Sequence, residues 1–242
     1  RDLRMSRGLG DVYKRQIQFR PQYQYLDQNK EAEERIYEGE TPGVSYGDIA
    51  ERYYTVGQYM KEVKDVSKAM AAAGDSYICD EYLNAMGSPE AESVYVLHDL
   101  NNDGIEEFFI GLKFNYDIPY YVIYDVYTWK DGRAYQLMRG IGYRNGSCKI
   151  CENGVIEDNY SGSAWDGQTL YHILPEGGIE LETIDSVSSR RDGTVQSYYH
   201  WNELIDENSL QTILEQYQPE SVTYVDCNRE TIEQLRLSGI RK

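Results

Sequence analysis

The chain has 242 residues, of which 40% are hydrophobic, so it is long enough to fill one large core or two small ones. Its 24 Lys and Arg residues stand against 41 Asp and Glu residues, which gives a net charge of -17 at neutral pH. This charge disfavours nucleic acid and anionic membrane surfaces as partners, whereas divalent cations, cationic peptides and neutral glycans stay open. No run of about 18 apolar residues is present, so the sequence predicts no membrane-spanning helix.

The sequence predicts that the first 45 residues lie outside the folded domain. Residues 1–16, RDLRMSRGLGDVYKRQ, show no apolar period and resemble the translated adapter sequence found at the ends of some metagenome-assembled reading frames. We treat them as a non-native segment and expect the native N-terminus, with any export signal, to be missing. Residues 17–45 are rich in Gln, Glu, Gly and Pro and predict a poorly ordered lead-in. A single domain is expected over residues 46–242.

Helical spacing begins at Tyr46. Ser45 is placed as an N-cap and Gly74 as a stop, so the pattern predicts one long amphipathic helix between them. A shorter helix is predicted over about residues 78–86, ending at Gly87. The apolar face of the long helix comprises Ile49, Tyr53, Val56, Met60, Val63 and Met70.

After Pro89 the period changes, and short Tyr, Val and Ile runs alternate with turn signals. This rhythm predicts an antiparallel β meander, as a sheet, a sandwich or a partial barrel. A final helix is predicted from about Glu207 to Tyr217 after Asp206 as its cap, and the tail beyond Pro219 is ambiguous. The fold class is therefore α+β. The turn signals are KDG at 130, RNG at 144, ENG at 152, WDG at 165, PEGG at 175 and RDG at 191.

The composition includes 24 tyrosines beside only 4 Phe and 3 Trp. Tyr can bury its ring while its hydroxyl stays in water, which suits half-exposed sheets and contact surfaces. Two roles for the tyrosines therefore stay open: ordinary packing in strands, or a platform that contacts carbohydrate or peptide.

The stretch DLNNDGIEE places oxygen-bearing side chains at alternate positions ahead of a glycine. This spacing is typical of a loop that wraps a hard cation, with side chains at positions 1, 3, 5 and 9, a glycine at 6 and a main-chain carbonyl at 7. An EF-hand would need a bidentate Glu at position 12, where Ile110 stands, and the flanks read as strands. A β-loop-β calcium site is predicted, and the alternative is a polar turn without metal. The positions are held by Asp99, Asn101, Asp103, Gly104, Ile105 and Glu107.

The loop and its surroundings carry a family resemblance. The pattern D-x-[DN]-x-D-G-x-x-[DE], followed by Phe109, Ile110 and Gly111, resembles calcium loops of the FG-GAP and integrin-repeat kind. More broadly, YVLHDLNNDGIEEFFIG followed by YDVYTWKDGRAYQL resembles poorly characterised extracellular proteins and lipoproteins of gut Firmicutes. The resemblance implies a bacterial cell-surface or secreted location without implying a reaction. Asn101 in place of Asp, together with the single copy of the loop, predicts weak binding of one calcium ion.

The cysteines and histidines form no recognisable reactive motif. CKIC at 148–151 lacks the second Cys pair or paired His of a zinc site, and the βαβ setting of a thioredoxin-type centre is missing too. One or two disulfides, or four unpaired thiols, are both open, and no zinc is expected. Packing is expected for the three histidines, and alternation aims His98 away from the face of the first loop ligand. The remaining members of these two sets are Cys79, Cys227, His172 and His200.

No nucleophile, metalloprotease or phosphate-binding motif is present in the sequence. The leading interpretation is a non-enzymatic extracytoplasmic calcium-binding domain in adhesion, glycan contact or cell-envelope scaffolding, with glycans or envelope proteins as partners. The alternative is a carboxylate-based hydrolase acting on glycans or peptides. A cleft with two facing acids and a platform from Trp129, Trp165 or Trp201 would favour the hydrolase, whereas a flat Tyr-rich sheet would favour the binding domain.

Overall fold

A computed structural model describes residues 45–73, 78–141, 148–161, 165–174, 179–188, 195–201 and 203–238. All of these residues belong to one compact unit. The expectations for residues 1–16 and for the lead-in up to residue 44 fall outside the described residues. Within the described part of the chain, no helix combines the length and the apolar character needed to cross a membrane.

The described residues form helices at both ends of a β-rich centre, which confirms the α+β class. The helices are α1 (Tyr46–Val63), α2 (Val66–Ala73), α3 (Asp80–Met86), α4 (Glu207–Leu214) and α5 (Arg229–Ser238). The strands are β1 (Ala91–His98), β2 (Glu107–Phe114), β3 (Tyr120–Lys130), β4 (Arg133–Arg139), β5 (Cys148–Cys151), β6 (Val155–Ser161), β7 (Trp165–Ile173), β8 (Ile179–Ser188), β9 (Val195–His200), β10 (Glu203–Ile205) and β11 (Val225–Asp226).

The helices α1 and α3 each begin at a residue whose side chain caps the helix N-terminus. Ser45 caps α1 as predicted, because its Oγ accepts a hydrogen bond from the Asp48 amide at 3.2 Å. Cys79 caps α3 in the same way, with its Sγ 3.4 Å from the Tyr82 amide. Gly87 stands at the end of α3, as the sequence predicted.

The first predicted helix is not continuous, and in this respect the prediction is wrong. The helix α1 ends at Val63, where Lys64 adopts a left-handed conformation with φ 53°. Asp65 then starts α2, because its carboxylate accepts a hydrogen bond from the Lys68 amide at 3.1 Å. A helix end at Lys64 and a new N-cap at Asp65 therefore divide the predicted helix into two helices. The predicted stop at Gly74 lies outside the described residues.

The C-terminal region contains more structure than the sequence predicted. Asp206 caps α4 as expected, accepting from the Ser209 amide at 2.7 Å, but the helix ends at Leu214 instead of Tyr217. The ambiguous tail beyond Pro219 forms β11 and α5.

The predicted meander is divided into two antiparallel sheets. A five-stranded sheet has the order β11-β1-β2-β3-β4, and a six-stranded sheet has the order β10-β9-β8-β7-β6-β5. Neighbouring strands follow one another along the chain except at the edge where β11 pairs with β1. Short connections and antiparallel pairing are what the regular turn signals predicted.

Two of the predicted turns are tight hairpins. In KDG, Asp131 and Gly132 have φ values of 52° and 80°, and in ENG, Asn153 and Gly154 have φ values of 64° and 78°. Two successive residues with positive φ form the type I′ turn that matches the twist of paired strands.

The turn predicted at WDG is wrong, because these residues begin β7. Gly167 is paired on both sides, with Tyr160 of β6 and Asp185 of β8, so hydrogen bonding to two neighbours holds the Asp-Gly pair extended. The turns predicted at 144, 175 and 191 lie outside the described residues.

The helices α1, α2, α3 and α5 cover one face of the five-stranded sheet. The Tyr46 ring at the start of α1 stacks on Phe108 of β2 with 5.2 Å between centroids. The opposite face of the same sheet is also buried, at Val94, Phe109 and Val126 among others. The core under the helices includes Ile49, Tyr53, Val56, Met60, Tyr82, Leu83, Ile110, Leu112 and Tyr127.

A single helix packs on the described part of the six-stranded sheet. Side chains of α4 contact a small buried cluster that comes from three strands, β5, β6 and β7. The amphipathic pattern of α4 therefore has an apolar surface to cover. The contacts join Leu210, Ile213 and Leu214 to Cys151, Val155 and Leu170.

Candidate functional site

The Asp/Asn/Gly loop joins β1 to β2 and wraps around its own main chain. Asp99 accepts hydrogen bonds from the Asp103 amide at its Oδ1 and from the Gly104 amide at its Oδ2, both at 3.0 Å. Asp103 Oδ1 accepts from the Ile105 amide at 2.8 Å. Positive φ values at Asn102 (57°) and Gly104 (87°) allow this tight path. The structure thus brings three of the five predicted site residues into one exposed turn.

Asn101 connects this turn to the second sheet. Its Oδ1 accepts from the Asp103 amide at 3.2 Å, and its Nδ2 donates to Asp103 Oδ2 at 3.1 Å and to the Leu174 carbonyl at 3.0 Å. The turn between β5 and β6 also approaches, since a Cβ built on Gly154 would lie 3.4 Å from the Leu100 carbonyl oxygen. The loop is therefore packed against the β5–β6 turn and against Leu174, which follows β7.

Glu107, the fifth predicted site residue, is fully buried beneath the loop. Its Oε2 accepts from the Leu100 amide at 3.0 Å, and its Oε1 accepts from the Thr128 hydroxyl at 3.1 Å. Burial raises the pKa of the Glu107 carboxyl to about 7, and the charges of Asp103 and Asp99 add to the increase. Glu107 therefore links the start of the loop to β3 through hydrogen bonds. It also lies close enough to both aspartates for their charges to raise its pKa.

The oxygen-only donor set suits a hard cation such as calcium. In the described part of the chain, no three His, Cys, Asp or Glu side chains converge closely enough to hold a metal ion by themselves. Asp99 and Asp103 share their oxygens with loop amides, and Glu107 is engaged with Leu100 and Thr128. Residues of this kind could hold calcium if the ion drew the two aspartates together and took further oxygens from Asn101 and the main chain.

A second polar cluster, which sequence reasoning missed, lies inside the helix-covered core. Asp125 is fully buried and accepts from the Tyr53 hydroxyl at 2.5 Å and from the Gly140 amide at 2.9 Å. The Tyr53 hydroxyl lies 3.0 Å from that of Tyr127, to which Gln136 Nε2 donates at 3.1 Å. These tyrosines keep their hydroxyls bonded within the protein, not in water as the composition suggested.

A β-bulge explains how an acid in a strand reaches this core. The β2–β3 register shifts between Ile110 and Gly111, so that Asp125 pairs with Ile110 while Ile123 pairs with Gly111. One extra residue, Tyr124, changes the alternation and turns Asp125 toward α1. No local sequence signal marks this position, because YDVYTW reads as an ordinary strand.

The stability of the fold should depend on pH through Asp125. Burial raises the pKa of this carboxyl to about 6, against about 3.9 in an unfolded chain. The folded state then binds the proton more tightly, so this contribution is fully present below about pH 4 and is lost as pH rises through about 6. We expect the parent to gain about 1 kcal/mol from this group between pH 8 and pH 5.

The measurement is chemical denaturation of the parent and of Asp125→Asn at several pH values. The difference between the two free energies of unfolding should change by that amount between pH 8 and pH 5, whatever the other acids contribute. Parallel pH profiles for the two proteins would contradict the assignment.

Glu157 is a further buried carboxylate that the sequence did not single out. It lies on β6, where Lys149 Nζ donates at 3.0 Å and Asn159 Nδ2 at 2.5 Å. Both donors come from the same face of the six-stranded sheet, since Lys149 pairs with Glu157 across the β5–β6 ladder. The charge of Glu157 is thus balanced by Lys149 of the neighbouring strand β5.

The four cysteines are buried, unpaired thiols, one of the two states that the sequence left open. Cys148 and Cys151 lie three residues apart in β5, so alternation places them on opposite faces of the strand. They cannot act together as a pair. Burial raises the pKa of all four thiols, which keeps them protonated and weakly nucleophilic at neutral pH.

The histidines make packing and pairing contacts at separate places. His98 Nε2 lies 2.9 Å from Glu220 Oε2, and the His172 ring meets Tyr217 edge-on at 5.8 Å between centroids. His200 lies beside the ring of the residue that follows it, at 5.9 Å.

Two of the tryptophans considered as a hydrolase platform, Trp129 and Trp201, are associated with different sheets. Trp129 is half-buried and packs edge-on against Tyr46 at 5.9 Å in the helix-covered core. Trp201 is 37% exposed at the end of β9, and the side chain of Trp165 lies outside the described residues.

The fold and its polar clusters define an α+β protein with two antiparallel sheets and an acidic loop between them. No protein-family model, curated protein or solved structure matches the chain significantly.

Proposed function

We propose that this protein is a non-enzymatic extracytoplasmic domain that binds one calcium ion weakly at the loop formed by residues 99–107. Its role would be adhesion, glycan contact or cell-envelope scaffolding. The observation that carries the calcium assignment is convergence: Asp99 Oδ1 and Asn101 Oδ1 both lie within 3.2 Å of the Asp103 amide nitrogen. Oxygens from positions 1 and 3 of the loop therefore meet beside position 5, and an oxygen-rich turn of this kind suits calcium.

Charge repulsion supports the same proposal. Asp99 and Asp103 each raise the pKa of the buried Glu107 carboxyl, after the larger effect of burial. Two aspartates beside a buried carboxyl form an unfavourable arrangement of negative charge, which a bound divalent cation would relieve.

The ion would also act on the contact between the two sheets. Asn101 donates to the Leu174 carbonyl, and Glu107 accepts from Thr128 of β3. A cation that holds Asn101 and both aspartates in place would therefore strengthen the packing of the loop on the second sheet. We infer a structural ion in a contact domain.

Calcium should raise the melting temperature of the parent protein. The loop has one amide in place of a carboxylate, and its affinity is expected in the extracellular-module range of about 10⁻⁴ to 10⁻³ M. At a free calcium concentration ten times the dissociation constant, linkage gives about 1.4 kcal/mol, which corresponds to a few degrees in a domain of this size. The measurement compares melting curves in EGTA and in millimolar calcium, with magnesium expected to do less.

Two variants separate site binding from general charge screening. Asp103→Ala should lose the calcium shift, whereas Glu203→Ala, which removes one exposed acid from β10, should keep it. An unchanged melting temperature in the parent would mean that the loop is a polar turn without a metal.

The other parts of the proposal have separate tests. An extracytoplasmic location predicts that the gene sequence upstream encodes a secretory or lipoprotein signal. The non-enzymatic role is checked by a glycan and peptide hydrolysis screen on the purified protein. Turnover that is lost on changing one acid to its amide would replace the proposal with the carboxylate hydrolase.

A further inference from the structure

The hairpin between β2 and β3 carries a concentrated apolar surface, which we call the tyrosine tip (Tyr116, Ile118, Tyr120 and Tyr121). Half of the exposed large hydrophobic side chains in the described part of the chain lie in it. Ile118 is 82% exposed, Tyr116 51% and Tyr120 47%. Single exposed hydrophobic residues are ordinary, but several in one hairpin are typical of an interaction surface.

The rings of the tyrosine tip are held in place by the fold. Phe114, only 7% exposed, stacks on Tyr120 at 4.8 Å between centroids with 15° between planes. Tyr116 stacks on Tyr120 at 5.8 Å and 13°, and Tyr121 stacks on Tyr224 at 4.0 Å. Side chains that are already ordered lose little conformational entropy on binding, so this surface is suited to recognition.

The charges around the tyrosine tip are mainly acidic. Asp117 is exposed at its centre, and Glu92 is exposed in the neighbouring strand β1, where it pairs with Lys113. Glu90 lies alongside, since its carbonyl accepts a hydrogen bond from the Asn115 amide at 3.0 Å. With a net charge of -17 on the whole chain, the field near these rings attracts cations and repels anions.

Electron-rich ring faces beside carboxylates are complementary to Lys and Arg side chains. The protein uses this contact elsewhere, because the Arg133 guanidinium lies over the ring of Tyr135, 5.3 Å from its centroid. We propose that the tyrosine tip docks a Lys- or Arg-bearing segment of a partner protein, with the cationic groups over Tyr116 and Tyr120 and beside Asp117. This inference rests on the proposed function, since it names a partner for a contact domain.

The test uses a fluorescent peptide of alternating Gly and Arg, titrated with the full chain in calcium and followed by anisotropy. Tyr116→Ala/Tyr120→Ala leaves the net charge unchanged and should weaken binding roughly fivefold or more, because two cation–π contacts are lost. Tyr116→Phe/Tyr120→Phe keeps the ring faces and should bind like the parent. Trp201→Ala removes an exposed aromatic ring elsewhere and should also leave the affinity unchanged.

Salt provides a second readout. Binding should weaken between about 20 mM and about 150 mM salt, and Asp117→Asn should reduce that dependence. Equal affinity of the Tyr116→Ala/Tyr120→Ala variant and the parent would overturn the inference. So would a neutral oligosaccharide that binds the parent, fails to bind this variant and displaces the peptide, because the tip would then be a glycan surface.

Failure of this inference can be told apart from failure of the proposed function. Asp103→Ala should lose the calcium shift in melting temperature and still bind the peptide. The Tyr116→Ala/Tyr120→Ala variant should keep the calcium shift and lose peptide affinity, and that retained shift also shows that the variant is folded.

Discussion

The Gly111→Ala variant should be severely destabilised, losing about 3 kcal/mol or more of its free energy of unfolding. A Cβ at this position would lie 2.1 Å from the Val122 carbonyl oxygen and 2.9 Å from the Ile123 Cα. Both are main-chain atoms of β3, which cannot rotate aside as the end of a side chain can. The two strands would have to part at the bulge that turns Asp125 inward. Chemical denaturation and the soluble yield measure the loss.

Gly57→Ala is the matched control for a buried glycine. Its added Cβ would meet Met86 Cε at 2.8 Å, the mobile end of a flexible side chain. Because Ala also favours the interior of α1, the two effects oppose each other, and a change within about 1 kcal/mol is expected. If Gly111→Ala unfolded at the same denaturant concentration as the parent, the close approach of β2 and β3 would not constrain the fold.

Tyr53→Phe should cost about 2 to 3 kcal/mol, the usual range for losing a hydrogen bond to a buried charge. The change removes the donor 2.5 Å from Asp125, while that carboxylate keeps the Gly140 amide and its interactions with Cys79 and Arg139. It also removes the hydroxyl 3.0 Å from that of Tyr127. The Tyr53 hydrogen bond lowers the pKa of Asp125, so without it the carboxyl is protonated more readily. The loss should therefore be smaller at pH 5 than at pH 8.

A double-mutant cycle tests whether the effect acts through Asp125. Tyr53→Phe, Asp125→Asn and the double variant should show a coupling energy of about 1 kcal/mol or more, since the two groups share one hydrogen bond. Tyr54→Phe, at the half-buried neighbour on the same helix, should change stability by no more than about 0.5 kcal/mol. Additive single effects would show that the short contact contributes nothing specific.

The two close contacts behind these predictions could not be read from the sequence. The close approach of Gly111 to β3 depends on how two strands pair at a bulge. The Tyr53–Asp125 bond joins residues 72 apart, and the sequence does not tell which face of β3 the single acid of that strand occupies. A one-residue shift in register would have turned Asp125 to the opposite face.

The loop at 99–107 could be predicted from the sequence in part. The alternate positions Asp99, Asn101 and Asp103 and the glycine at 104 could be identified from the sequence. Each of the three side chains accepts a hydrogen bond from a main-chain amide at most five residues away. The burial of Glu107 and its bond to Thr128 could not be identified in this way, and neither could the contact of Asn101 with Leu174, 73 residues away. Spacing therefore predicted the residues of the loop, while only the folded chain placed them against a second sheet.

The sequence by itself determined what depends on near neighbours along the chain. Ser45 and Asp206 cap their helices through amides three residues on, and the KDG and ENG turns need only two residues that tolerate positive φ. Tertiary structure decided the division into two sheets, the inward turn of Asp125 and the extended state of WDG. Each of these depends on pairing between distant strands, whose hydrogen bonds and burial outweigh the weak local preference of a few residues.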